Sequence, residues 1–355
     1  MIKVLVVEDS PVVREFLVHV LGADPAIQVV GTASDGEQAL EAVVRLSPDV
    51  VTMDIHMPRL DGIEATRRIM ENNPVPIVIV SGSNDPGEVA TTFRAMAVGA
   101  LAVLRRPAGL GHPEHEATVR ELVQTVKLMA EVKVVRRWPR ARRPALPVPP
   151  LAVGPTPARL RAVAIGASTG GPPVLQAMLA TLPGDFPAPI LIVQHMAAGF
   201  IQGFVDWLAQ SSKLPVHLAS HGETLLPGHV YVAADDFQMR VARGDRIVLA
   251  ADPPDYGLRP SVAALFRSLA AVYGGEVAAC LLTGMGRDGA AELKLLRDQG
   301  AITFAQDQES SVVHGMPGEA IRLDAASFVL PPEKIAAALA SLARRGRPGN
   351  KESER

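Results

Sequence analysis

Short apolar runs recur along this chain with helix-length stretches between them, and the pattern stops once, between Lys133 and Arg161. That interruption holds seven prolines, eight Lys or Arg residues and no acidic residue, a composition that favours extended polyproline segments over packed structure. A chain of 355 residues also exceeds what one hydrophobic core usually serves. The reading is two α/β domains, residues 1–132 and 162–343, joined by a linker over 133–161. From Arg344 onward a tail has no apolar face to bury and is expected to be disordered.

In the first region the runs are Ile2–Val7, Val29–Gly31, Val50–Met53, Ile77–Val80 and Leu101–Leu104. Strands alternating with helices argue for a parallel sheet covered on both faces, and ligands gather outside the carboxyl ends of such strands. Glu8 and Asp9 follow the first run, Asp54 the third, Ser81 the fourth, and Arg106-Pro107 the fifth. Carboxylates this close repel unless a cation joins them, and an oxygen-only set suits Mg²⁺ with several waters retained. Asp54 is then a candidate for phosphorylation, with the metal and a basic group balancing the charge. Singly, each acid could equally cap a helix; the set at matching strand ends argues for a site.

The second region has runs at Ala162–Ile165, Pro189–Val193, His229–Val232, Arg246–Leu249, Val277–Leu282 and Ala301–Phe304, again read as an α/β sheet. Its most telling stretch, Val163–Gly171, drives a strand into the glycine-flanked Ser168. Such a turn either presents backbone N–H groups to an anion or holds a serine hydroxyl above the sheet edge. His195 and Asp288 lie beyond two further runs. Serine is a poor nucleophile until a base takes its proton, and a histidine serves best when a third group holds its tautomer. Gly166–Gly170 reads G-x-S-x-G, but the chain order Ser, His, Asp differs from the α/β-hydrolase order, which implies another scaffold. The glycine-rich loop Thr283–Gly289 can supply oxyanion donors, for example the Met285 N–H. The Thr169 hydroxyl either positions base or substrate or caps the following helix.

Composition narrows the setting. With 48% hydrophobic residues, 20% charged and a formal net charge of −2, the chain is an ordinary globular protein rather than a nucleic-acid binder, and its basic linker reads as a solvated hinge. The single cysteine, Cys280, lies in an apolar run, so no disulfide framework forms and a reducing cytoplasm fits. No window approaches the roughly 18 apolar residues that span a bilayer, and the chain opens on a strand pattern rather than a signal peptide. A cytoplasmic protein without membrane insertion is expected. His112 and His115 flank Pro113, which disfavours the helix that would align them on a metal.

Val-Val-Glu8-Asp9-Ser-Pro, Asp54-Ile-His-Met-Pro58, Asp61-Gly62, Ser81-Gly and Arg106-Pro107 together resemble the receiver domain of two-component response regulators. The resemblance implies a flavodoxin-like, five-stranded parallel sheet with Asp54 as phosphoacceptor. It also implies that Glu8, Asp9 and Asp54 form a Mg²⁺ site and that Ser81 responds to phosphate. Arg106 stands where that family usually has lysine and Val103 where an aromatic switch residue is common. Gly-Ala-Ser168-Thr-Gly-Gly171, Val-Gln194-His195-Met, Arg259-Pro-Ser-Val262, Thr283–Ala290, Ala305-Gln-Asp307 and Gly315-Met-Pro317 resemble the catalytic domain of the chemotaxis protein-glutamate methylesterase family, CheB. Departures are Ala197, Ala263 and His314, where proline, aspartate and an aromatic are frequent.

This second resemblance implies a doubly wound domain that hydrolyses glutamyl γ-methyl esters, and deamidates glutamines, on the cytoplasmic helices of chemoreceptors. Ser168 is the implied nucleophile, His195 the base and then acid, and Asp288 the orienting carboxylate. No cofactor is implied for catalysis, and a chemotaxis histidine kinase is the implied phosphodonor. The expectation is that the receiver covers the crevice until Asp54 is phosphorylated. The competing reading is a non-catalytic response regulator whose second domain binds a ligand or partner; such a module needs neither His195 nor Asp288.

Overall fold

The computed structural model describes residues 1–82, 86–132, 134 and 160–345. Most of the expected linker, and the expected tail beyond Arg345, lie outside them. The chain divides into two compact units, and the division falls within the expected linker.

The first unit runs β1 (Ile2–Val7), α1 (Pro11–Gly22), β2 (Ile27–Ala33), α2 (Gly36–Leu46), β3 (Val50–Met53), α3 (Gly62–Asn72), β4 (Ile77–Ser81), α4 (Pro86–Val98), β5 (Ala102–Arg105) and α5 (His115–Ala130). Its sheet is parallel, in the order β2-β1-β3-β4-β5. β3 and β4 are buried along their whole length, as continuous apolar runs between two helical layers should be. Asp35 and Asp61 cap α2 and α3 by accepting from the Gln38 and Glu64 N–H groups. α5 begins at His115, just beyond Pro113. The strand order reverses between β1 and β3, which puts the switch-point crevice beside Glu8, Asp9 and Asp54.

The second unit continues with β6 (Ala162–Ala167), α6 (Gly171–Thr181), β7 (Ile190–Gln194), α7 (Ile201–Ser211), β8 (Val216–Leu218), β9 (Val230–Val232), β10 (Gln238–Ala242), β11 (Arg246–Ala250) and α8 (Val262–Tyr273). It ends with β12 (Val277–Leu281), α9 (Ala290–Asp298), β13 (Ile302–Gln306), α10 (Met316–Arg322), β14 (Phe328–Leu330) and α11 (Pro332–Arg345). Seven parallel strands form the sheet in the order β14-β13-β12-β6-β7-β9-β8. β6 is central and has alanine or glycine at four of its six positions. A Cβ on Gly166 would lie 2.5 Å from Val262 Cγ1, so the glycine lets α8 press onto the strand.

Three expectations are corrected. The Arg246–Leu249 run is not in the parallel sheet: as β11 it pairs antiparallel with β10 in a separate hairpin. β10 packs on α8, whose residues from Val262 to Phe266 are all buried and which needs cover on more than one side. Arg344 and Arg345, expected to begin the tail, continue α11 instead. Arg161, placed at the end of the linker, belongs to the second unit: its guanidinium pairs with Asp245 at 2.6 Å and lies 4.4 Å above the Tyr273 ring.

Cys280 is buried in β12, and desolvation pushes its thiol well above the ordinary range. Native protein should therefore fail to react with a disulfide reagent at pH 8, whereas one equivalent reacts after unfolding in guanidinium. Rapid labelling of the folded protein would contradict the packing of β12.

Candidate active site

Ser168, His195 and Asp288 follow β6, β7 and β12, three adjacent strands of the sheet. The order reverses between β6 and β12, so the three residues straddle the switch point. The β6–β7 register ends at Ala167 opposite Gln194, and the His195 N–H donates to the Ala167 carbonyl at 2.9 Å. Ser168 and His195 are thus the next residues on neighbouring strands, about 5 Å apart at the backbone.

The buried Asp288 accepts from His195 Nε2–H at 2.9 Å. Its two oxygens also accept from the Val262 N–H at 2.7 Å and the Ala263 N–H at 3.0 Å. Those amides belong to the first turn of α8, whose unsatisfied N–H groups and dipole complement a carboxylate. Ser261 caps the same turn by accepting from the Ala264 N–H. With Nε2–H committed to Asp288, the lone pair of His195 Nδ1 is the one available to take a proton. Ser168 Oγ makes no hydrogen bond among the described residues, so the His–Asp leg is formed here and the Ser–His leg is open. Such contacts commonly tighten only around substrate.

Residues that the sequence pattern leaves without a role bind these groups together. Gln194 Nε2 donates to both the Ser168 carbonyl (2.9 Å) and the His195 carbonyl (2.7 Å). Gln306 Oε1 accepts from the Thr283 N–H at 2.8 Å, and the Thr283 carbonyl accepts from the Ser168 N–H at 3.0 Å. Thr283 Oγ1 donates to the Thr169 carbonyl at 2.9 Å. The glycines permit this weave: a Cβ on Gly284 would lie 2.7 Å from Ser168 Cβ, and one on Gly171 2.1 Å from Gln194 Oε1. Only the paired Ser168/Gln194/His195 register could have hinted at it from sequence.

The anion-cradle alternative meets an obstacle at the start of α6. Pro172 and Pro173 have no N–H, and the Gly171 N–H is taken by the Ser168 carbonyl at 2.8 Å. Residues 171–173 therefore leave no amide for a phosphate. The helix cap is Gly170, at φ +78°, so Thr169 is not the cap. The N–H groups of Thr169 and Met285 donate to no group among the described residues.

In the first unit, Glu8, Asp9 and Asp54 bring one oxygen each to within 4.8 Å of one another. Glu8 and Asp54 are buried. Desolvation, then Asp54, push the Glu8 carboxyl up to about 7, and desolvation raises Asp54 as well. Such a set is ionised fully only beside cations, and its all-oxygen donors fit Mg²⁺. Arg106 supplies part of that charge, with Nη2 3.2 Å from Glu8 Oε2. Gly82 makes room for the guanidinium, because a Cβ there would lie 2.8 Å from Arg106 Cζ. Ser81 is buried at the end of β4, and its carbonyl accepts from the Arg106 N–H. Val103, on β5, packs against the core of this unit. Among the described residues no metal-ligand cluster includes His112 or His115, and no helix is long and apolar enough to cross a membrane.

An acidic crevice at the switch point of one unit, and a serine, a histidine and an aspartate after three adjacent strands of the other, define the class: a response-regulator receiver joined to a second parallel α/β domain of a different scaffold from the α/β hydrolases. Residues 4–112 match the family model of the response regulator receiver domain, and residues 163–339 that of the CheB methylesterase. A protein-glutamate methylesterase/protein-glutamine glutaminase of Nitrosospira multiformis is 63% identical over 352 residues, covering 98% of both chains. One of the same name from Geobacter metallireducens is 61% identical over 97% of this chain and 99% of its own. The crystal structure of the Thermotoga maritima CheB methylesterase catalytic domain superposes with a TM-score of 0.50 at 37% identity, covering 51% of this chain and 98% of that one. The chain belongs to the CheB methylesterase family.

Gly284→Ala is expected to lower ester turnover by about 10²-fold, because a shift of about 1 Å in a reacting group costs that much and Ser168 is the candidate for that group. Circular dichroism should stay native. Wild-type turnover in this variant would show that Ser168 is not held against residue 284.

Proposed function

We propose that this chain is a phosphorylation-regulated protein-glutamate methylesterase and protein-glutamine glutaminase acting on chemoreceptors, with Ser168 as nucleophile. The single observation that supports it most is the His195–Asp288 pair seated on the first turn of α8, one strand from Ser168. A phosphate-binding module has no use for that pair.

His195 Nδ1 takes the Ser168 proton as Oγ attacks the γ-carbonyl carbon of the glutamyl methyl ester. Asp288 stabilises the imidazolium and holds Nε2–H in place. The N–H groups of Met285 and Thr169 are the proposed oxyanion donors, each worth about 3 kcal/mol of barrier when well aimed. Collapse of the tetrahedral adduct passes the proton from His195 to the leaving methoxide, and methanol departs. Water, deprotonated by His195, then attacks the acyl-serine, frees the glutamate carboxylate and returns the proton to Ser168. With a glutaminyl substrate the leaving group is ammonia. No cofactor enters these steps.

Regulation belongs to the first unit. Glu8, Asp9 and Asp54 would hold Mg²⁺, which supplies charge neutralisation for phosphorylation of Asp54. Arg106 sits on the same carboxylates, and Ser81 is the hydroxyl placed to respond to the phosphoryl group. The phosphodonor is a chemotaxis histidine kinase, the substrate is the methylated helices of the receptor, and the setting is the cytoplasm.

Ser168→Ala should release no methanol from methylated receptor while folding normally; undiminished release would remove Ser168 from the reaction. Asp54→Asn should keep basal release but lose the increase produced by a phosphodonor, measured as initial rates with and without it. Equal stimulation of wild type and this variant would place control elsewhere.

A further inference from the structure

One stretch of the crevice rim takes no part in holding the proposed catalytic groups. Met285, Gly286 and Arg287 are exposed, yet the residues on either side are buried. Gly284 packs on Ser168 and Asp288 bonds His195, so the exposed tip is held beside the nucleophile from both ends. Met285 carries a large apolar side chain that is 52% exposed. Among the described residues the Arg287 side chain makes no hydrogen bond or ion pair; only its carbonyl is engaged, accepting from the Ala290 N–H. Nearby Arg240 and Arg267, by contrast, are each tied to carboxylates. The Arg287 guanidinium instead lies over the ring of Tyr256, 5.4 Å from its centroid. Its charge also reaches Glu319, which is already bound to Arg322.

Tyr256 sits in an unusual backbone position. It has φ +51° and is followed by Gly257 at φ +78°, while Asp255 and Leu258 exchange N–H to carbonyl bonds at 3.1 and 2.8 Å. That is a two-residue turn with both central residues left-handed, a conformation that glycine and asparagine favour and an aromatic residue adopts only at a cost. The turn is fastened to the site. Gln238 Nε2 donates to the Leu258 carbonyl, Gln238 Oε1 accepts from the Ser261 N–H at 2.8 Å, and Asp255 accepts from Ser261 Oγ. Ser261 caps α8, the helix on which Asp288 rests. A half-exposed aromatic ring is therefore held in a strained turn, rigidly tied to the catalytic groups, with an unpaired cation on its face. Strain kept in such a place points to a contact that uses it.

We propose that Arg287, stacked on Tyr256 beside Met285, is a specificity-determining residue that captures a free carboxylate next to the ester on the protein substrate. This rests on the esterase reading above. With its Cζ over the ring and its N–H groups without a partner among the described residues, the guanidinium keeps donors for a bidentate carboxylate. The fitting partner is a polypeptide segment whose γ-methyl glutamyl ester is flanked by unesterified glutamates. Each turnover creates such a carboxylate, so a segment with several ester sites becomes a better match as it is processed. Met285 and Tyr256 offer apolar cover to the aliphatic stems of those side chains.

The test uses the full chain with a phosphodonor and measures methanol release from receptor-bearing membranes. One receptor has glutamates flanking the ester; the other has Glu→Gln at those positions. Wild type should favour the acidic receptor in kcat/KM by about tenfold, the scale of one charge-assisted pair. Arg287→Gln should erase that preference through KM rather than kcat, and Arg287→Lys should keep part of it. Tyr256→Gly should relieve the turn, so its Tm does not fall, yet KM for the acidic receptor rises. The proposal is overturned if Arg287→Gln keeps the wild-type preference. It is equally overturned if that variant lowers kcat alike on both receptors together with Tm, as a structural role would. A wild-type protein that releases no methanol from either receptor defeats the esterase reading itself, a distinct result.

Discussion

The seating of Asp288 on the first turn of α8 organises everything around it. A buried carboxylate is costly unless its oxygens find donors. Here two backbone N–H groups and one imidazole N–H supply them, and all three donors come from elements that other constraints have already placed. α8 is pressed against β6 and β12 because Gly166 and Gly289 leave space for Val262. His195 is set by the β6–β7 ladder. The aspartate thus joins a helix, a loop and a strand end, and a shift in any one of them is felt at the imidazole.

Serine placement follows a different logic. Among the described residues nothing polar holds Ser168 Oγ, while its backbone is held on both sides: its N–H by the Thr283 carbonyl, and its carbonyl by Gln194 and the Gly171 N–H. Rigid backbone with an unengaged hydroxyl suits a group that must be aimed without being stabilised. The two prolines opening α6 add to this, because a helix start without spare amides does not recruit a competing anion next to the hydroxyl.

Much of this architecture is legible in the amino-acid sequence, because parallel α/β folds bring the residues after their strands to one edge. That is why the acids at 8, 9 and 54, and the trio at 168, 195 and 288, stand out in a linear chain. What resists reading has physical causes. β8 and β14 are three-residue strands at the two edges of the sheet with no buried residue, unlike the equally short but buried β9, so they carry no core-strand signal. Arg246–Leu249 has the composition of a core strand, but the need to cover α8 draws it into a hairpin. The bonds of Gln194 and Gln306 depend on contacts made only when distant segments meet. Thr169 looks like a cap because threonines often are, yet the left-handed Gly170 takes that position. The helix that receives Asp288 lies about 25 residues earlier in the chain, beyond the reach of any spacing rule.

The small gap at Gly82 has a consequence of another kind. The Arg106 guanidinium passes close to residue 82, where a Cβ would lie 2.8 Å from its Cζ, on its way to Glu8. A larger residue there would have to share that space with the end of a flexible side chain, which can shift, and would meet less of a slimmer ammonium at 106. The two positions are therefore coupled: a side chain at 82 and the guanidinium at 106 compete for the same space. A position that lies outside the three carboxylates thereby bears on how closely positive charge approaches them.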